Sequence, residues 1–145
     1  MATKPYITNK SRILFLLQYL HDNTDNKHTI RTNDLIALLE KNGFRANRHT
    51  LRSDMEALNN AGYEVVTERD GKTNTYHCGS RKFEQSELKI IVDALTSYPR
   101  IDVTRRKKLV SKVSSLTSKH MARQLINDAT KFNKNTPIKE RDDER

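Results

Sequence analysis

One segment, residues 46–62, constrains the fold most because it combines a helical apolar stripe with a basic end. The apolar residues fall at i, i+4 and i+7 and are Leu51, Met55 and Leu58. A helix buries residues at this spacing together on one face. Asn47 is a favourable N-cap, and Gly62 is suited to the left-handed residue that ends many helices. The pattern predicts a short helix over residues 47–61.

The exposed face of this predicted helix is basic at its N-terminal end. On a helical wheel, His49 and Ser53 lie roughly opposite the apolar stripe, and Arg48 and Arg52 flank it. Arg in the first turns is typical of the second helix of a helix-turn-helix, which enters the DNA major groove. An ordinary surface helix of a small domain is the alternative interpretation.

A second helix is predicted just before the basic one, over residues 32–43. Thr32 or Asn33 is suited to cap its start, and Gly43 to end it. Its apolar residues, at i, i+3 and i+4, are Leu35, Leu38 and Leu39. Two helices joined by a short turn that contains Gly are the signature of a helix-turn-helix.

Upstream, residues 9–20 predict an amphipathic helix, and residues 29–31 predict a short strand. The helix carries its stripe at Ile13, Leu16, Leu17 and Leu20, widened by Leu14 and Phe15. Downstream, two β-rich runs flank Asp70 and Gly71, which indicates a hairpin. Such a hairpin is either a wing that reaches DNA with Arg69 and Lys72, or a plain hairpin that closes the core.

The order helix, strand, helix, helix, hairpin predicts a winged helix-turn-helix over residues 1–80. The expected fold is therefore mainly α with a small β-hairpin wing, an α+β protein. Residues 81–130 predict a helical extension of two or three amphipathic helices, with a possible role in dimerisation. The first runs over residues 86–98 with Ser86 as N-cap. The last stretch, residues 131–145, has no periodicity, and we expect a disordered tail with both basic and acidic residues.

The net charge of +9 favours an anionic partner, most commonly nucleic acid. The charge is uneven: residues 1–80 hold 11 Lys/Arg and 9 Asp/Glu, a net +2, whereas residues 81–145 hold 16 and 9, a net +7. The basic side chains of the predicted second extension helix are Arg105, Arg106, Lys107, Lys108, Lys112 and Lys119. They fit either phosphate contacts or a solvated face.

Catalysis and metal binding find no support in the sequence. The single cysteine, Cys78, rules out an internal disulfide and is expected to be a small buried residue. The histidines lack metal-ligand spacing, and there is no Gly-rich phosphate loop. We therefore expect a non-enzyme without cofactor or evident small-molecule ligand. No apolar run is long enough to span a membrane, so a cytoplasmic location is expected.

The chain resembles the DNA-binding half of the WYL-domain transcriptional regulators, which are grouped with winged-helix repressors of the DeoR type. The matching pieces run from about Lys10 to Ser118 and include Arg48-His-Thr-Leu-Arg-Ser-Asp54, Leu58-Asn-Asn-Ala-Gly-Tyr63 and Arg81-Lys-Phe-Glu84. Their order and spacing together, rather than any single piece, are specific to the family. The resemblance implies a bacterial regulator whose basic helix reads an operator. Arg52 and Ser53 depart from the family pattern, which often has an aromatic residue and Arg there.

The chain contains no Trp, so the motif that gives the WYL domain its name is absent. We expect that ligand control of the kind found in the relatives is not encoded in this sequence.

The leading hypothesis is a sequence-specific, double-stranded-DNA-binding transcriptional regulator that acts as a homodimer. The residues expected to contact base edges are Arg48, His49, Arg52 and Ser53. Those expected to contact phosphates and groove edges are Arg45, Asn47, Thr50, Arg69 and Lys72. The alternative is a protein-interaction winged helix that heterodimerises with, or antagonises, a full-length regulator. RNA binding is disfavoured because no aromatic platform for stacking bases is evident.

Overall fold

Helices dominate the structure, with one small antiparallel sheet, as the α+β prediction requires. A computed structural model describes the backbone of residues 8–135 and the side chains of residues 8–130. The helices are α1 (Asn9–Asn23), α2 (Thr32–Lys41), α3 (Arg48–Asn60), α4 (Gln85–Ser97), α5 (Val103–Ser114) and α6 (Lys119–Asn135). The strands are β1 (Ile30–Arg31), β2 (Val65–Asp70) and β3 (Thr73–Cys78).

The chain divides into two compact units, Met1–Arg81 and Lys82–Arg145. In the first unit the strand order is β1-β3-β2, and both pairings are antiparallel. Gly71 takes a φ of 64° at the tight turn between β2 and β3, a backbone conformation that favours glycine. Asp70 pairs with Thr73 at the end of this hairpin, so the charged tip projects beyond the ladder.

The core of the first unit is built from the apolar stripes of its three helices. Leu51, Met55 and Leu58 are buried as predicted, and they cluster with residues of α1, α2 and both long strands. The other buried members are Leu16, Leu20, Leu35, Leu39, Val65 and Tyr76. Leu14, predicted to widen the apolar face of α1, is instead 66% exposed. The stripe of α1 is therefore narrower than the sequence indicated.

The helix ends confirm some predicted caps and correct others. Asn47 caps α3, and Gly43 and Gly62 take the positive φ predicted for them. The prediction that Thr32 or Asn33 caps α2 is wrong. The N-cap is Arg31, whose side chain makes no capping hydrogen bond. Thr32 is the first residue of the helix, and its hydroxyl donates to the Asn74 carbonyl oxygen 3.0 Å away. That bond instead ties the start of α2 to β3.

The second unit consists of α4, α5 and α6, each of which contacts the other two. Its buried apolar residues are Leu88, Val92, Leu125 and Ala129. Asp102 caps α5, and its side chain accepts a hydrogen bond from the Arg105 backbone N–H. Ser86 does not cap α4, which begins one residue earlier: Glu84 is the N-cap and forms a capping box with Glu87.

The predicted tail, residues 131–145, overlaps α6, which continues to Asn135. Residues 136–145 lie outside the described part of the chain. In residues 8–135 no helix is long and apolar enough to cross a membrane.

Candidate functional site

The N-terminal end of α3 is fixed by a reciprocal cap. The Asn47 side chain accepts a hydrogen bond from the Thr50 backbone N–H at 2.9 Å. The Thr50 hydroxyl in turn accepts from the Asn47 backbone N–H at 2.8 Å and lies 3.0 Å from the Asn47 carbonyl oxygen. Both residues are expected to contact phosphates and groove edges, and in the structure their side chains also satisfy the first turn of the helix. This cap sets where α3 begins.

An open hollow lies between α3 and the β2–β3 hairpin, with a volume of about 200 Å³. Arg48 and Arg52 of α3 line one side, and Arg69 and Lys72 of the hairpin line the other. The remaining lining residues are polar or hydroxyl-bearing: Thr32, Thr73, Asn74 and Tyr76. Two of the residues expected to read bases and two expected to contact phosphates thus share one concave surface.

The four basic side chains of this hollow are exposed and, among the described residues, make no ion pair. The hydrogen bonds they make go to neutral partners. Arg48 donates to the Asn33 side chain at 3.5 Å, and Arg69 donates to the Gly71 carbonyl oxygen at 3.3 Å. Asp70, the acid at the hairpin tip, is already paired with Arg31 at 3.0 Å. The hollow is therefore a locally uncompensated positive surface.

The other predicted contact residues lie outside this hollow. His49 and Ser53 are exposed on α3, and Arg45 is exposed in the turn before it, but none of the three lines the hollow. The predicted site residues therefore form three groups. Four line the hollow, three are exposed on α3 or in the turn before it, and two form the cap of α3.

Sequence reasoning missed the contact that anchors α3. The Arg12 guanidinium of α1 donates from Nε to Asp54 Oδ2 at 2.6 Å and from a terminal nitrogen to Oδ1 at 2.9 Å. The other terminal nitrogen reaches Asn9 and the Arg45 carbonyl oxygen. Hydrogen bonding to Asp54 raises the pKa of Arg12 against the opposing effect of burial. The pair links α1 to α3 and to the turn between α2 and α3.

A sequence signal for this pair existed. Arg12 lies four residues before Leu16 on the buried side of α1, and Asp54 adjoins Met55 on the buried side of α3. Because buried charges need partners, a cation on one apolar stripe and an anion on another are expected to pair with each other.

One of the basic side chains of α5 is engaged by backbone carbonyl oxygens and is not available to a partner. The Arg106 guanidinium donates to the carbonyl oxygens of Leu95, Tyr98 and Ile101, at 3.2, 2.6 and 3.1 Å. It thereby satisfies the carboxyl end of α4 and the loop that follows. Lys107, Lys108 and Lys112 remain exposed.

Cys78 is half-buried rather than fully buried, which corrects the sequence-based expectation. Burial raises the pKa of its thiol, and the nearby Glu64 adds to this effect while Arg81 opposes it. A thiol held in its neutral form is a poor nucleophile. Within residues 8–135 no three His, Cys, Asp or Glu side chains are grouped so that they could hold a metal ion.

Comparison of the chain with protein-family models, with curated proteins and with solved structures gives no match. The resemblance to WYL-domain regulators therefore stays a prediction from the sequence.

Proposed function

We propose that this protein is a sequence-specific double-stranded-DNA-binding regulator of transcription, and that its first unit is a winged helix-turn-helix. In this proposal α2 and α3 form the helix-turn-helix, α3 enters the major groove, and the β2–β3 hairpin is the wing. The observation that carries the proposal is the hollow whose two walls, α3 and the hairpin, each contribute two unpaired cations. Duplex DNA is a polyanion that such a surface attracts strongly.

The arrangement of α3 supports the same function. Its buried stripe holds it on the core, while Arg48, His49, Arg52 and Ser53 of its first turns stay exposed. A rigid helix with hydrogen-bonding side chains at its N-terminal end suits base readout in the major groove. In this proposal the described residues form no ligand-sensing domain. We further propose a bacterial, cytoplasmic protein related to the WYL-domain regulators.

A protein-interaction function is the second candidate, and exposed apolar side chains of the second unit favour it. Ile90 is 69% exposed on α4, and Val103 is 61% exposed on α5. Contact between these side chains and a second chain suits either the homodimer expected of an operator-binding protein or a heterodimer with a full-length regulator. In the second case the protein binds little DNA of its own.

The two functions differ in how binding responds to sequence and salt. The full chain is titrated by fluorescence anisotropy onto genomic DNA fragments, including the region upstream of its own gene, at about 50 and 200 mM salt. We expect one fragment to bind tightly at both concentrations and the others to bind weakly at low salt only. Uniform weak binding that disappears at the higher concentration would contradict the proposal and favour the protein-interaction function.

A control variant tests whether the hollow carries this binding. Arg52→Gln removes one charge from the hollow, and Arg105→Gln removes one exposed charge from α5. We expect the first change to weaken binding to the preferred fragment and the second to leave it nearly unchanged. Equal losses in the two variants would mean that overall charge, not the hollow, attracts the DNA.

A further inference from the structure

Two side chains from each wall place four positive charges around the hollow between α3 and the hairpin. Arg48 and Arg52 are one helical turn apart, so both project from the same side of α3. Opposite them, Arg69 lies near the end of β2 and Lys72 lies in the hairpin turn. The hollow is open to solvent and has a volume of about 200 Å³, well above the roughly 10–15 Å³ that one water molecule needs on the same measure. It therefore has room for a group larger than a single water molecule.

The positive charge of the hollow favours the binding of an anion. Like charges close together repel each other, and in the described residues no carboxylate pairs with any of these four. Asp70, the hairpin acid beside Arg69 in sequence and closest to the turn, pairs with Arg31 instead. Guanidinium groups match phosphate oxygens with paired N–H donors, and the Lys72 ammonium adds a compact charge.

We propose that the hollow holds one phosphate group of the DNA backbone, shared by Arg48, Arg52, Arg69 and Lys72. This inference rests on the proposed function and deepens it. It assigns Arg48 and Arg52 to the backbone, although the sequence predicted that they read bases. The exposed residues of α3 outside the hollow, His49 and Ser53, are then the ones left to contact base edges. The shared phosphate fixes the helix and the hairpin in one register on the duplex.

The salt dependence of binding reports how many DNA phosphates the protein neutralises. A protein that neutralises one phosphate of B-DNA contributes about 0.9 to the slope of log K against log salt concentration. A quadruple variant, Arg48→Gln with Arg52→Gln, Arg69→Gln and Lys72→Gln, is compared with the full wild-type chain on a mixed-sequence duplex. We expect the slope to fall by about 0.9 if the four side chains share one phosphate. A fall of about 3.6, as four separate phosphates require, or no fall at all, would overturn the inference.

Two controls separate the hollow from charge in general and from folding. Four exposed charges of α5 are removed in the matched variant, Arg105→Gln with Lys107→Gln, Lys108→Gln and Lys112→Gln. It should retain the wild-type slope if α5 does not contact DNA. Replacing the three arginines of the hollow by Lys keeps every charge and should keep the slope, because counterion release depends on charge. Circular dichroism checks that each variant is folded.

Sequence preference gives an independent readout. A backbone contact lowers affinity by a similar factor on every duplex, whereas a base contact changes the ranking of sequences. Arg52→Gln should leave the ranking of a randomised duplex library unchanged, and Ser53→Ala should change it. A changed ranking for Arg52→Gln would overturn the inference, since Arg52 would then read a base.

The failure of the inference and the failure of the proposed function can be told apart. A wild-type chain that binds duplex DNA, while the quadruple variant keeps its slope, contradicts the inference alone. A wild-type chain that binds no duplex contradicts the proposed function and the inference together. In that event, inorganic phosphate is titrated into the wild-type chain and followed by the NMR signals of the Arg Nε–H groups. Saturable shifts at Arg48, Arg52 and Arg69 would show that the hollow binds phosphate without DNA, which would favour a small phosphorylated ligand over a duplex.

Discussion

The Arg12 guanidinium and the Asp54 carboxylate form a buried two-point ion pair that fastens α1 to α3. Their side chains are 9% and 5% exposed, and Nε lies 2.6 Å from Oδ2. Asp54 is two residues beyond Arg52, so this pair sets the position of the helix whose N-terminal end carries the candidate site. The paired geometry holds α3 against both sliding and rotation.

Removing one partner of this pair should destabilise the first unit strongly. We expect Arg12→Met to lower the free energy of unfolding by about 3–5 kcal/mol, because Asp54 is left buried without its partner. Urea denaturation at neutral pH measures the change. The matched control is Arg31→Met, which breaks the pair with Asp70, whose partners are 62% and 60% exposed. That change should stay below about 1 kcal/mol. Equal effects of the two substitutions would show that the burial of Arg12 does not matter.

The apolar stripe of α3 should matter far more than the exposed apolar side chain of α1. Leu51 is 0% exposed in the core, whereas Leu14 is 66% exposed. Leu51→Ala should cost about 2–5 kcal/mol through lost burial and the cavity left behind. Leu14→Ala should fall within about 0.5 kcal/mol of the wild type. A thermal or urea melt of each variant decides between this ranking and its reverse.

The end of α3 depends on a left-handed backbone at Gly62. Its φ is 94°, and no atom lies within 4 Å of an added Cβ. Gly62→Ala should therefore destabilise through backbone strain alone, by about 1–2 kcal/mol. Gly62→Asn should cost less, because Asn tolerates the left-handed region better. If both variants melted like the wild type, the helix end would not require this conformation.

The Cys78 thiol should react slowly in the folded protein. Burial raises its pKa above the ordinary value, so less thiolate is present at pH 8 than in the unfolded chain. The alkylation rate should rise sharply in denaturant and, in the native protein, continue to rise above the ordinary thiol pKa. The neutral thiol stabilises the native state below that pKa, and this contribution is lost as pH rises through the raised value. Equal rates in native and denatured protein would contradict this environment.

Local patterns predicted the parts of the fold that depend on neighbouring residues. Asn47 and Gly62 lie at the two ends of α3, as their capping preferences predict, and Gly71 lies in the hairpin turn. Contacts between distant residues were not predicted. Arg12 and Asp54 are 42 positions apart, and their pairing depends on how α1 crosses α3.

The same limit applies to the candidate site. The sequence identified Arg48 and Arg52 on the helix and Arg69 and Lys72 on the hairpin. It did not show that the four line one hollow, because this depends on the packing of α3 against the sheet. The part that Thr50 plays in the cap of α3 was likewise not predicted, because it depends on the backbone conformation at Asn47.

The central claim is that duplex DNA binds through α3 and the hairpin of the first unit. The most direct test is an NMR titration of the isotope-labelled full chain with the duplex that it prefers. We predict that amide shifts concentrate at the N-terminal end of α3 and around Arg69 and Lys72. Shifts confined to the basic helix α5, with α3 unchanged, would contradict the claim.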